Sequence, residues 1–349
     1  MKKFEFVSLI FLILGALAYL FWNASSDIFS SEDYVKAEKK FESGKYSEFL
    51  NISENILNSH PKDGKLRYLR ALAFREIGDT DKALSEIEKS LDLGYPTVQS
   101  LVLKADIMGE EKNDQNSRLI LSQKAVSEDP SYDGGYYQKG LAYLSLNENE
   151  KALKEFSVVF LQKGELAYDA AIKMSLILIK SGNYEKALEK INFVINKYPQ
   201  SPDAFYALYL LKRKTGDNIG ALNAINYAVF YGAKEYLYEK SMLSEELGDL
   251  NSALEDFLAW PGFSDSKKEN LYRAAKLAFR CDKNDMALSF ISKIFKSHNI
   301  ECRDFLLKGR ILFKKGEIKE AKLYIEEALK DKSCYNEASH ILDNIPGKV

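Results

Sequence analysis

Chemistry on a protein surface requires nucleophiles, metal ligands or acid–base groups that converge, and this chain is poor in all three. Its histidines are His60, His298 and His340. Each lies near a predicted helix end and far from the others, where dipole and solvent contacts account for it better than metal ligation or proton transfer. Cys281, Cys302 and Cys334 are odd in number and form no CxxC pair, so neither a disulfide framework nor a zinc ribbon is indicated. Buried core thiols are the favoured reading and a single Cys302–Cys334 bridge the alternative. Glu110-Glu111 and Glu326-Glu327 are carboxylate pairs, but neighbours in a helix do not converge, and both read as solvated faces. There is no phosphate-cradling loop, HExxH, GxSxG or glycine-rich dinucleotide turn. The expectation is a chain without catalytic residues, metal or cofactor.

What remains is a recurring apolar pattern. Tyr34, Tyr68, Tyr137, Tyr206, Tyr238 and Tyr272 stand ten residues before a turn, and Leu72, Leu141, Leu210 and Met242 follow four residues after their tyrosines. That spacing makes a strip along one helix face. Tyrosines packed between units would give the same pattern. As a surface, Tyr68, Leu72, Tyr137, Leu141, Tyr206, Leu210, Tyr238 and Met242 would offer a groove to an extended or helical apolar segment of another protein.

The elements that carry this strip repeat at about 34 residues, the range of stacked supersecondary units. A turn residue is followed five positions later by Ala: Gly78 and Ala83, Asn147 and Ala152, Gly182 and Ala187, Gly216 and Ala221, Gly248 and Ala253, Asp282 and Ala287, Gly316 and Ala321. Gly or Asn ends a helix in the left-handed conformation, and the next residues start another. Asn183 is placed to cap one such start, with Ala187, Ile191 and Val194 on one face. Seven residues before the turn sits a small side chain (Ala37, Ala71, Gly140, Ser175, Ser241, Ala275, Gly309), which with the Ala of the second helix allows close approach.

On these residues the chain resembles the tetratricopeptide repeats. Tyr34, Ala37, Gly44 and Pro61 stand in that family's order, as do Met174, Ser175, Gly182, Ala187 and Pro199. The resemblance covers about nine units over 30–332, with a final capping helix near 336–344. It implies an all-α, right-handed α-solenoid of helix-turn-helix repeats, with first helices lining a concave groove. Family members that grip a chaperone's carboxyl terminus use Lys and Asn on successive first helices; here Tyr137, Leu141, Lys173 and Leu176 occupy those faces, so that ligand is not implied. The pattern departs at Phe49 in place of the second-helix Ala, at Tyr209 in the small position, and at Trp260-Pro261-Gly262, where a unit ends early. The segment 262–266 reads as a surface loop. The third unit, with its turn at Gly109-Glu110-Glu111-Lys112-Asn113-Asp114 and no Ala at the expected spacing, is the poorest.

Composition agrees with an all-helical chain of 349 residues: 7 Pro and 46% hydrophobic residues. Lys and Arg total 49 against 51 Asp and Glu, interspersed, so no field favours nucleic acid. Glu235, Glu239 and Glu246 form one acidic stretch, and Arg273, Lys276, Arg280, Arg303 and Arg310 a basic one, both ordinary in a solvated face. Lys2 and Lys3 precede an apolar run over 6–22 that reads as a transmembrane anchor, with a signal peptide cleaved after Ala16 and Ala18 as the alternative. The boundaries are then 1–29 for anchor and linker, 30–332 for the repeat array and 333–349 for the cap and tail. Positive charge before the run puts the amino terminus in the cytoplasm and the repeats outside it; cleavage would make the chain periplasmic or secreted. The expected function is a non-catalytic, bacterial-type scaffold holding proteins or peptide segments at the membrane in envelope assembly, secretion or quality control. The alternative is an adaptor subunit of an envelope enzyme.

Overall fold

The computed structural model describes residues 32–94, 97–297 and 299–344; the apolar run over 6–22 and His298 lie outside the described residues. The described residues form helices without strands, and none is long and apolar enough to cross a membrane. The chain divides into two compact units, Met1–Pro199 and Gln200–Val349. In the first, the helix pairs are α1 (Glu32–Glu42) with α2 (Tyr46–Ser59), α3 (Gly64–Glu76) with α4 (Thr80–Asp92), α5 (Thr97–Glu110) with α6 (Gln115–Glu128), α7 (Asp133–Ser145) with α8 (Asn149–Gln162), and α9 (Leu166–Lys180) with α10 (Tyr184–Lys197). In the second they are α11 (Pro202–Lys214) with α12 (Asn218–Phe230), α13 (Leu237–Glu246) with α14 (Leu250–Ala259), α15 (Lys268–Arg280) with α16 (Asn284–Ser297), and α17 (Cys302–Lys314) with α18 (Ile318–Ala328). A 3-10 turn, Lys234–Tyr236, precedes α13, and a short helix, α19 (Tyr335–Asp343), follows α18 where the capping helix was placed.

The turns follow from local chemistry. Gly78 sits at φ +82°, its N–H bonds Arg75 O at 2.9 Å, and the Asp79 N–H reaches back to Phe74 O at 2.9 Å. This left-handed closure satisfies carbonyls that the helix end would orphan. Asp79, Asp217 and Asp249 then cap the second helices by accepting the N–H of Lys82, Gly220 and Ser252. Asn183 differs from expectation: it occupies the cap position but its side chain makes no cap bond.

Behind each cap a fixed pair of side chains fills the core. The Ala of the beat and the large residue four positions later are fully buried as Ala83 and Ile87, Ala152 and Phe156, Ala187 and Ile191, Ala253 and Phe257, Ala321 and Ile325. Each large side chain contributes roughly 1.5–3 kcal/mol by leaving water. The small residue of the first helix makes room for it. A Cβ on Gly140 would stand 2.7 Å from the Phe156 ring, and one on Gly309 would stand 2.5 Å from Ile325.

The third pair keeps this plan with two changes. Its turn is one residue longer, since Asp114 N–H bonds back to Met108 O at 2.7 Å, six positions away instead of five. The extra residue moves the small slot to Ala105, fully buried, and places the left-handed turn at Asn113, φ +53°. Asp114 caps α6 through Ser117 N, and the Ser117 hydroxyl and N–H hold its carboxyl below the ordinary value. The slot that holds Ala in most other pairs holds Arg118, only 1% exposed. Its side chain crosses Gly109, where a Cβ would stand 2.4 Å from Arg118 Cδ. The guanidinium donates to Asp106 Oδ1 at 3.2 Å, Glu110 Oε1 at 2.9 Å and, from Nε, Gln138 Oε1 at 2.8 Å. Arg75 pairs with the other Asp106 oxygen at 2.5 Å and with Glu111 at 3.1 Å. Glu110 and Glu111 are exposed, as expected of solvated faces, and each is also tethered by an arginine.

Two expectations are corrected by packing. The loop after Pro261 is no bare surface loop, because Phe263 packs edge-on against Phe257 at 5.6 Å and Phe290 at 6.4 Å. Cys302 and Cys334 are bridged, with Cα atoms 6.1 Å apart, rather than free core thiols. Only Cys281 is a free thiol, and it donates to Leu250 O at 3.1 Å.

Candidate partner-binding surface

The Tyr-Leu strip splits according to what each first helix packs against. On α3, Tyr68 and Leu72 are 6% and 4% exposed and belong to the core with Phe41, Phe49 and Ile87. A partner cannot reach them without opening the first unit. On α7, Tyr137 and Leu141 are partly buried, with the Tyr137 ring 5.7 Å from Phe156. In the second unit, Tyr206, Leu210, Tyr238 and Met242 are all partly open. Tyr206 stacks almost parallel on Tyr236 with centroids 3.7 Å apart, and on Tyr209 at 5.7 Å. Tyr209, the residue that broke the small-side-chain rule, is itself buried and completes this stack. Tyr238 leans on Trp260 at 5.0 Å under the Arg273 guanidinium.

A second aromatic surface escaped the ten-residue spacing rule. Phe205 stacks on Tyr227 at 5.1 Å and Tyr231 at 5.8 Å, and Phe230 stands 79% exposed beside them. The available signal was Tyr227 and Tyr231 at i, i+4 at the end of the helix whose core face carries Ala221, Ala224 and Ile225. Among the described residues, no group of three or more His, Cys, Asp or Glu side chains is gathered as a metal would require. His60 sits past the end of α2 against the Tyr34 ring, and His340 lies in the last turn of α19.

Burial pushes the phenols of Tyr68, Tyr132, Tyr137, Tyr206 and Tyr236 above their ordinary value, and Tyr34 is raised by burial and by its bond to Asp63. The folded chain thus holds these protons more tightly than the unfolded one, whose phenols titrate near pH 10. Their contribution is complete below that pH and is lost as pH climbs through the raised folded values. Melting followed by circular dichroism is expected to be level through neutral pH and to fall steeply above about pH 10, in step with tyrosinate absorbance.

A family model described as tetratricopeptide repeat matches residues 134–157 and 305–330. These are the α7–α8 and α17–α18 pairs. The chain is 29% identical over 174 residues to an N-terminal acetyltransferase A complex subunit-like protein of Schizosaccharomyces pombe, covering 47% of this chain and 23% of that protein. It is 32% identical over 76 residues to the outer membrane protein assembly factor BamD of Rickettsia prowazekii, covering 21% of this chain and 30% of that one. The chain thus spans less than half the length of these relatives. Among solved structures it is similar to the APC/C hetero-tetramer Cut9-Hcn1, with a TM-score of 0.52 at 15% identity, over 86% of this chain and 59% of that one. That likeness concerns the fold, an array of tetratricopeptide-like helix pairs, and repeats of this kind mediate contacts between proteins.

Proposed function

We propose that this chain is a non-catalytic scaffold that binds peptide segments or partner proteins, tethered to a bacterial membrane through residues 6–22 with its repeats outside the cytoplasm. Its work is envelope assembly, secretion or quality control. The observation that carries the binding surface is the contrast between sealed repeat cores and the partly open Tyr206, Leu210, Tyr238 and Met242 of the second unit. Apolar side chains left partly open along successive first helices suit an apolar segment of a partner. Lys2 and Lys3 before the apolar run support the tether. The Cys302–Cys334 bridge supports an oxidising compartment, since such bonds are rare in the reducing cytosol. Similarity to an outer membrane protein assembly factor supports the envelope setting.

An adaptor role for a single enzyme is the second reading, favoured by similarity to a protein named as an acetyltransferase complex subunit-like protein. In vivo crosslinking with mass spectrometry, in cells carrying a topology reporter after Val349, tests both. A set of partners depleted by Tyr206→Ala with Leu210→Ala and Met242→Ala, at unchanged helicity, is expected. Partners unaffected by the triple variant would remove the groove, one stoichiometric enzyme would favour the adaptor, and a cytoplasmic reporter would remove the envelope setting.

A further inference from the structure

One helix of the second unit carries no charge. Among the described helices α12 alone lacks any Asp, Glu, Lys or Arg, and its outer surface is apolar instead: Ile219 is 70% exposed, Tyr227 51% and Phe230 79%. Asn223 and Asn226 complete the exposed face. Ile219, Asn223, Asn226 and Phe230 follow one another at intervals of four, three and four, which keeps them on a single stripe of the helix. Counted from the buried Ala of the second helix, the same positions include Asp81, Glu88 and Asp92 on α4, and Asp285 and Lys296 on α16. Those are ordinary solvated faces. Exposed aromatic side chains with the charges removed make the composition found at the centre of an interface between proteins.

We infer that this stripe docks a second copy of the chain, the two α12 helices running antiparallel about a two-fold axis. The order of the residues carries it. Apolar, amide, amide, apolar reads the same from either end, with its midpoint between Asn223 and Asn226. Turned end to end, the stripe sets Ile219 of one copy against Phe230 of the other, and Asn223 against Asn226. A two-fold interface requires this, since any contact of residue i with j is repeated as j with i. Spacings of four and three also form the seam along which two helices interlock. Each amide supplies both donors and an acceptor, so the pairs beside the axis satisfy one another, and an uncharged stripe meets its own copy without like-charge repulsion.

Other occupants fit less well. An unrelated helix would need the same pattern by coincidence, and a bilayer would bury two amides in mid-stripe with no cation on α12 to meet its headgroups. The surface is also held in shape before contact: Phe205 of α11 stacks on Tyr227 at 5.1 Å and on Tyr231 at 5.8 Å, which reduces the side-chain freedom lost on pairing. A fully covered aromatic side chain removes roughly 150–250 Å² from water. Closing the stripe would therefore bury on the order of 1,000 Å² over both copies, the lower edge of specific interfaces, and the dimer is reversible. The inference goes beyond the scaffold reading, whose strip is carried by the first helices α11 and α13.

Register is tested by oxidising a mixture of two differently tagged full-length chains in their membrane, one Ile219→Cys and the other Phe230→Cys, with the unsubstituted chain as the blank for Cys281. A crosslinked dimer is expected from the mixture and at least tenfold less from either variant alone, because like positions would stand about 16 Å apart along the axis. Asn223→Lys with Asn226→Lys, both at exposed positions, places four cations at the axis. It is expected to weaken the dimer at least tenfold in sedimentation of the full chain in density-matched detergent. Adding a chain with Asn223→Glu and Asn226→Glu should restore pairing, as a misfolded variant could not. A monomer at every concentration, a dimer indifferent to the lysines, or crosslinking of Ile219→Cys alone as strong as that of the mixture would overturn the inference. The groove is judged on Tyr206, Leu210 and Met242, so the scaffold reading stands or falls separately.

Discussion

Arg118→Ala is expected to destabilise the first unit by about 3–5 kcal/mol, the range for removing one partner from a buried ionic network. The direction is counterintuitive, because Ala fills the equivalent slot in most other pairs. In the third pair the surroundings have been built around arginine: Gly109 leaves a channel for its stem, and Asp106 and Gln138 lose a charged donor when it is removed. Arg75 still holds Asp106 but cannot reach across to Gln138, whose bond to Arg118 ties α6 to the next pair through α7. Urea unfolding should show the loss, and hydrogen exchange should concentrate it in α5, α6 and α7. Gly109→Ala alone should also destabilise, since its Cβ collides with a side chain pinned at three points. Combined with Arg118→Ala, the same Cβ enters vacated space. The double variant should therefore be more stable than the sum of the two single losses requires, and simple additivity would show that the Arg118–Gly109 contact is not the cause.

Removing the Cys302–Cys334 bridge, by reduction or by Cys302→Ser with Cys334→Ser, should cost about 3–4 kcal/mol of cap stability on loop-closure grounds. The bond spans a sequence separation of 32 and joins the start of α17 to the residue that precedes α19. The capping helix is short and buries only Ala338 fully, so it has little else to hold it over Leu306, Ile325 and Ala328. Hydrogen exchange over 335–343 should rise toward that of an unprotected segment, while α11–α14 keep their protection, because a repeat array communicates mainly between neighbours. Exchange at 335–343 that is identical in the oxidised and reduced chain would show that packing alone secures the cap.

The helix pairs were readable in the sequence because their instructions are local. A left-handed turn residue, a capping Asp and an Ala five positions on act through bonds spanning five residues or so, such as Asp79 N–H to Phe74 O, and they recur in one linear pattern. The third pair escaped because one extra residue shifts that pattern, leaving Ala105 outside the expected register and Arg118 inside it. The candidate groove was legible only as a list of tyrosines. Tyr68 and Tyr206 hold the same repeat position, yet one is enclosed by Phe41, Phe49 and Ile87 and the other stays partly open against Tyr236.

The sequence by itself determined the all-helical repeat, its turns and the small-against-large pairing of each core. Only the tertiary structure decided which tyrosines remain available, that Cys302 meets Cys334, and that Arg118 is neutralised by Asp106 and Glu110. The physical reason is the range over which each is set. Turns and caps are closed by neighbouring backbone groups, whereas burial, bridging and charge pairing depend on side chains that lie close only after successive helix pairs have packed.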